Sequence, residues 1–190
     1  MALSAVGVAE TVGLSLVSGG ILGVGGPQIA AGVGAGVCFW TQTLQAVTAD
    51  TGSLGAGAGI LPCGIPLALL LEGLFSGFAS TGIAGQMAPL FAQGLANGLA
   101  TAFLTQATIT TTHPTVGVGV GVVSFPGPSA VPSMLLGFEG AGITGTSAAQ
   151  LATAIGLGLD IGFAAYTPAI PIVGATSGGP SGGAGTGKII

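Results

Sequence analysis

The chain has almost no charge. Only 3% of its 190 residues are charged, against about 25% in an ordinary soluble domain, and Lys188 is the only basic residue besides one histidine. Because Lys and Arg side chains supply most of the affinity for phosphates, this composition excludes a nucleic-acid-binding protein. With so few charges to keep the surface soluble, we expect that surface to be covered by copies of the chain, by other proteins or by lipid.

Cysteine and histidine are equally scarce, which removes most catalytic and metal-binding arrangements. Cys38 and Cys63 lie far apart in apolar sequence and lack the spacing of a metal site. Buried free thiols are the favoured interpretation, and a disulfide between them stays open because sequence does not give its geometry. The single histidine, His113, precedes a proline and is expected in a turn, and no nucleophile-elbow pattern is present.

The acidic residues are scattered singly along the chain. They are Glu10, Asp50, Glu72, Glu139 and Asp160. Carboxylates so far apart in sequence do not form an acid/base pair or a metal-ligand cluster by local spacing. Glu10 and Glu72 are expected at equivalent positions of a repeat, where they cap helices or meet a polar subunit contact. We therefore predict no catalytic residue, no metal site and no enzymatic activity.

Two glycine-rich segments resemble nucleotide-binding loops without meeting their requirements. Residues 182–188 (GGAGTGK) have the frame of a phosphate-binding loop, but Ile189 stands where that loop needs the Ser or Thr that binds magnesium. Residues 32–36 (GVGAG) lack the spacing of a dinucleotide loop and its acidic partner about twenty residues later. No cofactor is predicted from either segment.

Glycine, in contrast, is abundant and alternates with other residues in three places. Residues 55–60, 117–123 and 183–189 each read Gly-x-Gly-x-Gly. Since side chains alternate between the two faces of a strand, each segment predicts a strand with one face of bare backbone, which another backbone or subunit can approach closely. The candidate interface positions are Gly55, Gly57, Gly59, Gly117, Gly119, Gly121, Gly183, Gly185 and Gly187.

A threefold internal repeat organises the chain. The tetrapeptides at 20–23 (GILG), 82–85 (GIAG) and 142–145 (GITG) recur at intervals of about sixty residues. A segment with helical spacing follows each of them, at 27–42, 88–106 and 147–166; Leu95, Leu99 and Phe103 mark one face of the second. β-prone sequence and then the glycine strand come next.

These observations predict one domain of three repeats, 1–61, 62–124 and 125–190. Each repeat is expected to hold an apolar, turn-rich lead, one helix and short strands, so the predicted fold class is α+β. A unit of about sixty residues cannot bury its apolar faces alone. The three repeats therefore pack together, either around a pseudo-threefold axis or as a linear stack.

The favoured function is that of a structural protein in a large assembly, where self-association is useful. The low-charge Ala/Gly/Thr texture of the last hundred residues resembles small structural proteins of tailed-bacteriophage virions. Residues 151–155 (LATAI), the run from Tyr166 to Pro168 and residues 185–189 (GTGKI) carry this resemblance of style. It implies a non-enzymatic tail, neck or baseplate protein, assembled in the host cytoplasm with other virion proteins or copies of itself.

The alternative is a small integral membrane protein, such as a pore or a holin-like channel. The mean hydropathy of +0.93 favours it. Trp40 and Tyr166 are candidate membrane-interface anchors, but two aromatic residues do not make a belt, and packing in the core or in a subunit interface is the preferred interpretation. Residues 60–79 have the length of a spanning helix, but prolines, glycines and Glu72 interrupt them. The assembly interpretation is therefore preferred.

Overall fold

The computed structural model describes residues 3–43, 45–51, 56–60, 67–106, 108–112, 118–124, 127–164, 169–171 and 183–188, with side chains described within 3–43, 67–105 and 130–164. Over 3–43, 67–106 and 127–164 the protein is all-helical, with 82% of these residues in six helices. The helices are α1 (Ala5–Ser18), α2 (Gly25–Thr41), α3 (Leu67–Ser80), α4 (Met87–Gln106), α5 (Gly127–Gly140) and α6 (Thr146–Ala164). They form three helical hairpins, α1–α2, α3–α4 and α5–α6, one in each predicted repeat.

The predicted α+β fold, with one helix in each repeat, is wrong. The apolar lead that we expected to be turn-rich is itself a helix in all three repeats, namely α1, α3 and α5. Intrinsic propensity argued against these helices because they contain glycine and serine, and α5 contains Pro132. Tertiary packing overrides that preference, since each of them buries a row of side chains spaced four residues apart. In α3 this row is Leu70, Leu74 and Phe78.

The second helix of each hairpin lies where the periodicity predicted it. The predicted segments 27–42, 88–106 and 147–166 match α2, α4 and α6 to within two residues at each end. Buried residues on these helices follow the same spacing, as Leu95, Leu99 and Phe103 do on α4. This part of the sequence prediction is confirmed.

Short strands follow each hairpin, and only their backbone is described. They are β1 (Gln45–Thr51), β2 (Ala56–Ile60), β3 (Thr108–Thr112), β4 (Val118–Ser124), β5 (Ala169–Pro171) and β6 (Gly183–Lys188). They pair antiparallel in the order β5-β4-β3-β2-β1-β6. All side chains known to form the core belong to the helical part.

The same glycine turn ends the first helix of every hairpin. Gly20, Gly82 and Gly142 have φ values of 80°, 86° and 78°, a left-handed conformation that favours glycine. The amide of the next residue then bonds back across the last turn. Ile21 donates to the carbonyl of Leu16 at 2.9 Å, and the corresponding bonds in the other hairpins measure 2.9 and 2.8 Å. This closure pattern stops the helix and reverses the chain toward the next one.

The six helices form a closed ring, not a linear stack. Each helix packs on the next one along the chain, and α6 packs back on α1. Equivalent positions are separated by 62 residues between the first two hairpins and by 60 between the last two. Val33, Leu95 and Ile155 illustrate this spacing, and all three are fully buried. Together the helices enclose one hydrophobic core around a pseudo-threefold axis.

Candidate interaction surfaces

Glycine lets the hairpins approach each other at three equivalent helix crossings. A Cβ atom at Gly36 of α2 would lie 2.7 Å from the Cα of Leu74, and one at Gly98 of α4 would lie 2.5 Å from the Cα of Met134. At Gly158 of α6 the added atom would meet the Cα of Val12. Backbone is in contact with backbone at all three places, so no side chain can be added without moving a helix. These crossings join the hairpins into the ring.

The segment 32–36, considered above as a loop, serves the first of these crossings. It lies within α2, and a Cβ at Gly32 would collide with the ring of Phe78. Its glycines therefore allow close helix packing. This position gives the segment a structural role.

Aromatic side chains fill the pseudo-threefold axis of the helical bundle near both of its ends. Trp40, Phe103 and Phe163 pack edge to face, with centroid separations of 4.7 Å between the first two and 5.3 Å between the last two. At the end where the hairpins turn, Phe91 lies between Phe78 and Phe138, at 5.1 and 5.6 Å. Such pairs add to the stabilisation gained by burial. The axis of the described helices is therefore a packed core.

Trp40 lies in the core, which agrees with the preferred interpretation of the sequence, and its buried side chain is not available as an interface anchor. Its indole is fully buried, and its Nε1 donates to no hydrogen-bond acceptor among the residues that the structure describes. A buried unpaired N–H costs free energy, so the aromatic contacts of this ring have to offset that cost. Tyr166 lies outside the described residues.

The described carboxylates are separate from one another. Glu10, Glu72 and Glu139 are exposed, and Asp160 is half-buried on α6. No group of three or more His, Cys, Asp or Glu residues is close enough to hold a metal ion within the described part of the chain. Asp50 lies in β1, where only the backbone is described, and His113 lies outside the described residues.

Glu10 and Glu72 do occupy equivalent positions, but they do not cap helices. Each is the sixth residue of its helix, α1 or α3, and is exposed. The cap of α1 is Ser4, whose Oγ accepts a hydrogen bond from the amide of Gly7 at 3.0 Å. The capping interpretation is therefore wrong, and the alternative, a polar contact with another subunit, stays a prediction.

Cys38 is a buried free thiol, as expected. Its Sγ donates to the carbonyl of Leu3 at 3.3 Å and accepts from Nε2 of Gln42 at 3.7 Å. Burial raises the pKa of the Cys38 thiol, because the charged thiolate is poorly solvated there. Cys63 lies outside the described residues.

The raised pKa predicts slow alkylation of Cys38. In a Cys63→Ser variant at pH 8, we expect iodoacetamide to modify the native protein at least ~10 times more slowly than the urea-unfolded chain, since burial both shields the thiol from the reagent and disfavours the thiolate that reacts. Mass spectrometry of timed samples measures both rates. Equal rates would show that the thiol is accessible and ionised in the fold.

Most of the glycines predicted to form an interface lie in strands of which the structure describes the backbone. Gly57, Gly59, Gly119, Gly121, Gly183, Gly185 and Gly187 lie in β2, β4 and β6, whereas Gly55 and Gly117 lie outside the described residues. Both edges of β2 and of β4 pair with other strands of the same chain. A contact between these strands and another subunit stays a prediction. For β2 and β4 it would have to use a face of the strand, whereas β6 stands at the end of the strand order, next to β1.

An apolar groove runs along the outside of the first hairpin. It has a volume of about 700 Å³ and lies between α1 and the start of α2, with Leu14, Val17 and Leu22 on its rim. Glu10 is the one charged residue among those that line it. The sequence alone does not reveal this groove, because the groove depends on how α1, which was not predicted to be a helix, packs on α2.

A smaller apolar depression, of about 360 Å³, lies where the three hairpins turn. The equivalent residues Ile29, Phe91 and Leu151 surround it, together with Ile83 and Ile143. It therefore lies close to the pseudo-threefold axis, at the end of the bundle opposite Trp40.

Two helical segments are long and apolar enough to cross a membrane. They are Met87–Thr105 and Thr146–Ala164, of which 56% and 44% are buried inside the protein. Core helices of soluble proteins have the same length and composition, so these segments alone are weak evidence for a membrane location.

Comparisons with other proteins give no further guide. No protein-family model matches the chain, and no curated protein or solved structure is detectably similar to it.

Proposed function

We propose that the protein is a non-enzymatic structural component of a large symmetric assembly, of the tail, neck or baseplate type found in tailed-bacteriophage virions. One observation carries the proposal: the outer surface stays strongly apolar although the core is complete. Fourteen large apolar side chains of the described residues are at least 38% exposed. Exposed apolar surface on this scale is typical of proteins that are covered by partners.

The packing of the helical ring indicates a rigid protein, which suits a building block of an assembly. Three backbone-to-backbone crossings and a filled axis leave little freedom for the hairpins to move separately. A component of a symmetric assembly has to present its contact surfaces in fixed positions, since a ring closes only if the rotation between neighbouring subunits has the required value. The resemblance in style of the last hundred residues to virion proteins points the same way.

Helix length argues against the membrane alternative. The helices α1, α3 and α5 have 14 residues each, about 21 Å at 1.5 Å per residue, whereas the hydrocarbon core of a bilayer is about 30 Å thick. Glu10 and Glu72 are exposed in the middle of α1 and α3, where lipid would surround them. An ionised carboxylate at the centre of a spanning helix costs about 2.5–3.5 kcal/mol.

The filled axis argues against a pore through this bundle. A conducting path along the axis would have to displace fully buried side chains, among them Leu95, Leu99 and Phe103. Each such displacement loses several kcal/mol of packing. The channel interpretation therefore requires a different arrangement of the same helices.

Expression without detergent tests the proposal. We expect the chain in the soluble fraction, as a discrete oligomer by size-exclusion chromatography with light scattering. In a flotation gradient with phosphatidylcholine–phosphatidylglycerol vesicles, we expect it to remain with the soluble proteins. Recovery in the membrane fraction, or flotation with the vesicles, would overturn the proposal and favour the membrane alternative.

A further inference from the structure

The ring has three equivalent junctions between neighbouring hairpins, so a difference among them shows where it is held least firmly. The junctions are α2–α3, α4–α5 and α6–α1, and each contains one of the glycine crossings described above. The first two have a second glycine contact nearer the hairpin turns. A Cβ at Gly77 would lie 2.5 Å from the carbonyl oxygen of Gly32, and one at Gly137 would meet the carbonyl oxygen of Gly94.

The α6–α1 junction lacks this second glycine contact. Ala154 and Ser15 stand at the positions of the two glycines, and their side chains keep the helix backbones apart. A Cβ at the neighbouring Gly19 would meet the Cβ of Ala154 at an ordinary 3.4 Å. A depression of about 340 Å³ lies between the two helices there. The α2–α3 junction also has an outer depression, but it is smaller, about 240 Å³, and the backbone contact of Gly77 with Gly32 adjoins it.

Two further features make the α6–α1 junction the easiest to open. Ser15 is only 7% exposed, so its hydroxyl regains water when the helices part, whereas glycine has no such group to hydrate. The helices α6 and α1 are also not consecutive in the chain, while residues 42–66 and 107–126 connect the helices of the other two junctions. A short connecting segment keeps separated helices close together and favours their return.

From these features we propose that the folded ring has a minor open state in which α6 and α1 part at the hairpin turns while the other two junctions stay closed. At the opposite end β6 pairs with β1, just as β2 pairs with β3 and β4 with β5 across the other junctions. The first hairpin therefore pivots about its strand end as a unit. Opening uncovers Val12 and Leu16, which are fully buried in the closed ring. It is a local opening of a single chain, so it does not depend on the proposed function.

Single cysteines at equivalent positions test this proposal. The background is Cys38→Ser with Cys63→Ser. One thiol is then placed at each junction by Val12→Cys, Leu74→Cys or Met134→Cys, and all three wild-type residues are fully buried. Slow labelling with an aromatic disulfide reagent at pH 8, in ~0–2 M urea, measures how often each thiol is uncovered. Circular dichroism in urea gives the global unfolding of the same variant, so each protein is its own reference.

We expect Leu74→Cys and Met134→Cys to react only through global unfolding, and Val12→Cys to react at least ~10 times faster than its own global unfolding allows. Its labelling should also depend less on urea, because local opening exposes less surface. If Val12→Cys does not fold, Ser15→Cys replaces it with the same expected result, and one folded control is sufficient. Labelling of the α6–α1 thiol through global unfolding alone, or an equal excess at another junction, would overturn the inference.

Discussion

Replacing Gly98 with alanine is expected to destabilise the folded protein by about 3 kcal/mol, the upper part of the range for overpacked cores. The new Cβ would lie 2.5 Å from the Cα of Met134 and 3.0 Å from the carbonyl oxygen of Ser133. Both atoms belong to the backbone of α5, so a rotamer change cannot relieve the clash. The helices α4 and α5 would have to separate, which loosens the packing on both sides of the crossing. Urea unfolding followed by the fluorescence of Trp40, the only tryptophan, measures the loss.

Gly13→Ala is the matched control, and its effect should have the opposite sign. Gly13 lies inside α1, and a Cβ there would meet only the Cβ of Ala30, at an ordinary 3.6 Å. Alanine is favoured over glycine within a helix by up to about 1 kcal/mol, so this variant should be as stable as wild type or more stable. If both variants lost the same free energy, glycine at the crossing would have no special role and the closed ring would be in doubt.

Phe103→Ala is expected to destabilise the protein by about 3–5 kcal/mol. The ring of Phe103 lies between those of Trp40 and Phe163 near the pseudo-threefold axis and is 1% exposed. Its removal leaves a cavity that three hairpins border, and none of them can move inward without breaking a glycine crossing. Because the variant alters the surroundings of Trp40, helical circular dichroism is the better measure of unfolding.

Phe75→Ala provides the comparison for an aromatic residue outside the core. Phe75 is 48% exposed on α3, so its replacement should cost less than about 1 kcal/mol. A small effect for Phe103→Ala, similar to that of Phe75→Ala, would mean that the axis is loosely packed. That result would also restore the channel interpretation, which requires an axis that opens.

Half of the helices were predictable, and the reason lies in particular residues. The helix α4 shows Leu95, Leu99 and Phe103 on one face, with few residues that disfavour helix between them. The helix α1 buries Val8, Val12 and Leu16 at the same four-residue spacing, so a signal was present there too. Glycine and serine obscured it, because both lower helix propensity and favour turns. Leu70, Leu74 and Phe78 are also spaced four residues apart, and this spacing would have revealed α3 in the same way.

The interaction surfaces were less predictable than the helices. The glycine strands were identified from alternation alone, and their contact with another subunit is still a prediction. The groove of the first hairpin combines residues of α1 with the turn and the start of α2. Leu14 and Leu22 look unremarkable in a sequence that is apolar throughout. Only the equivalence of the three hairpins shows that the exposure of Leu22 is unusual, because Ala84 and Thr144 stand at its position, whereas Leu14 has an exposed counterpart in Leu136.

The sequence by itself determined the threefold repeat, the glycine turns, the second helix of each hairpin and the near absence of charge. Each of these depends on residues close together in the chain or on composition, which local rules describe. The tertiary structure alone decided that the leads are helices, that α6 closes the ring on α1, and which apolar residues remain exposed. Those features depend on backbone contacts between segments that are distant in sequence, such as the contact of Gly158 with Val12. At such a contact the fit between the two helix surfaces outweighs the local conformational preference of either segment.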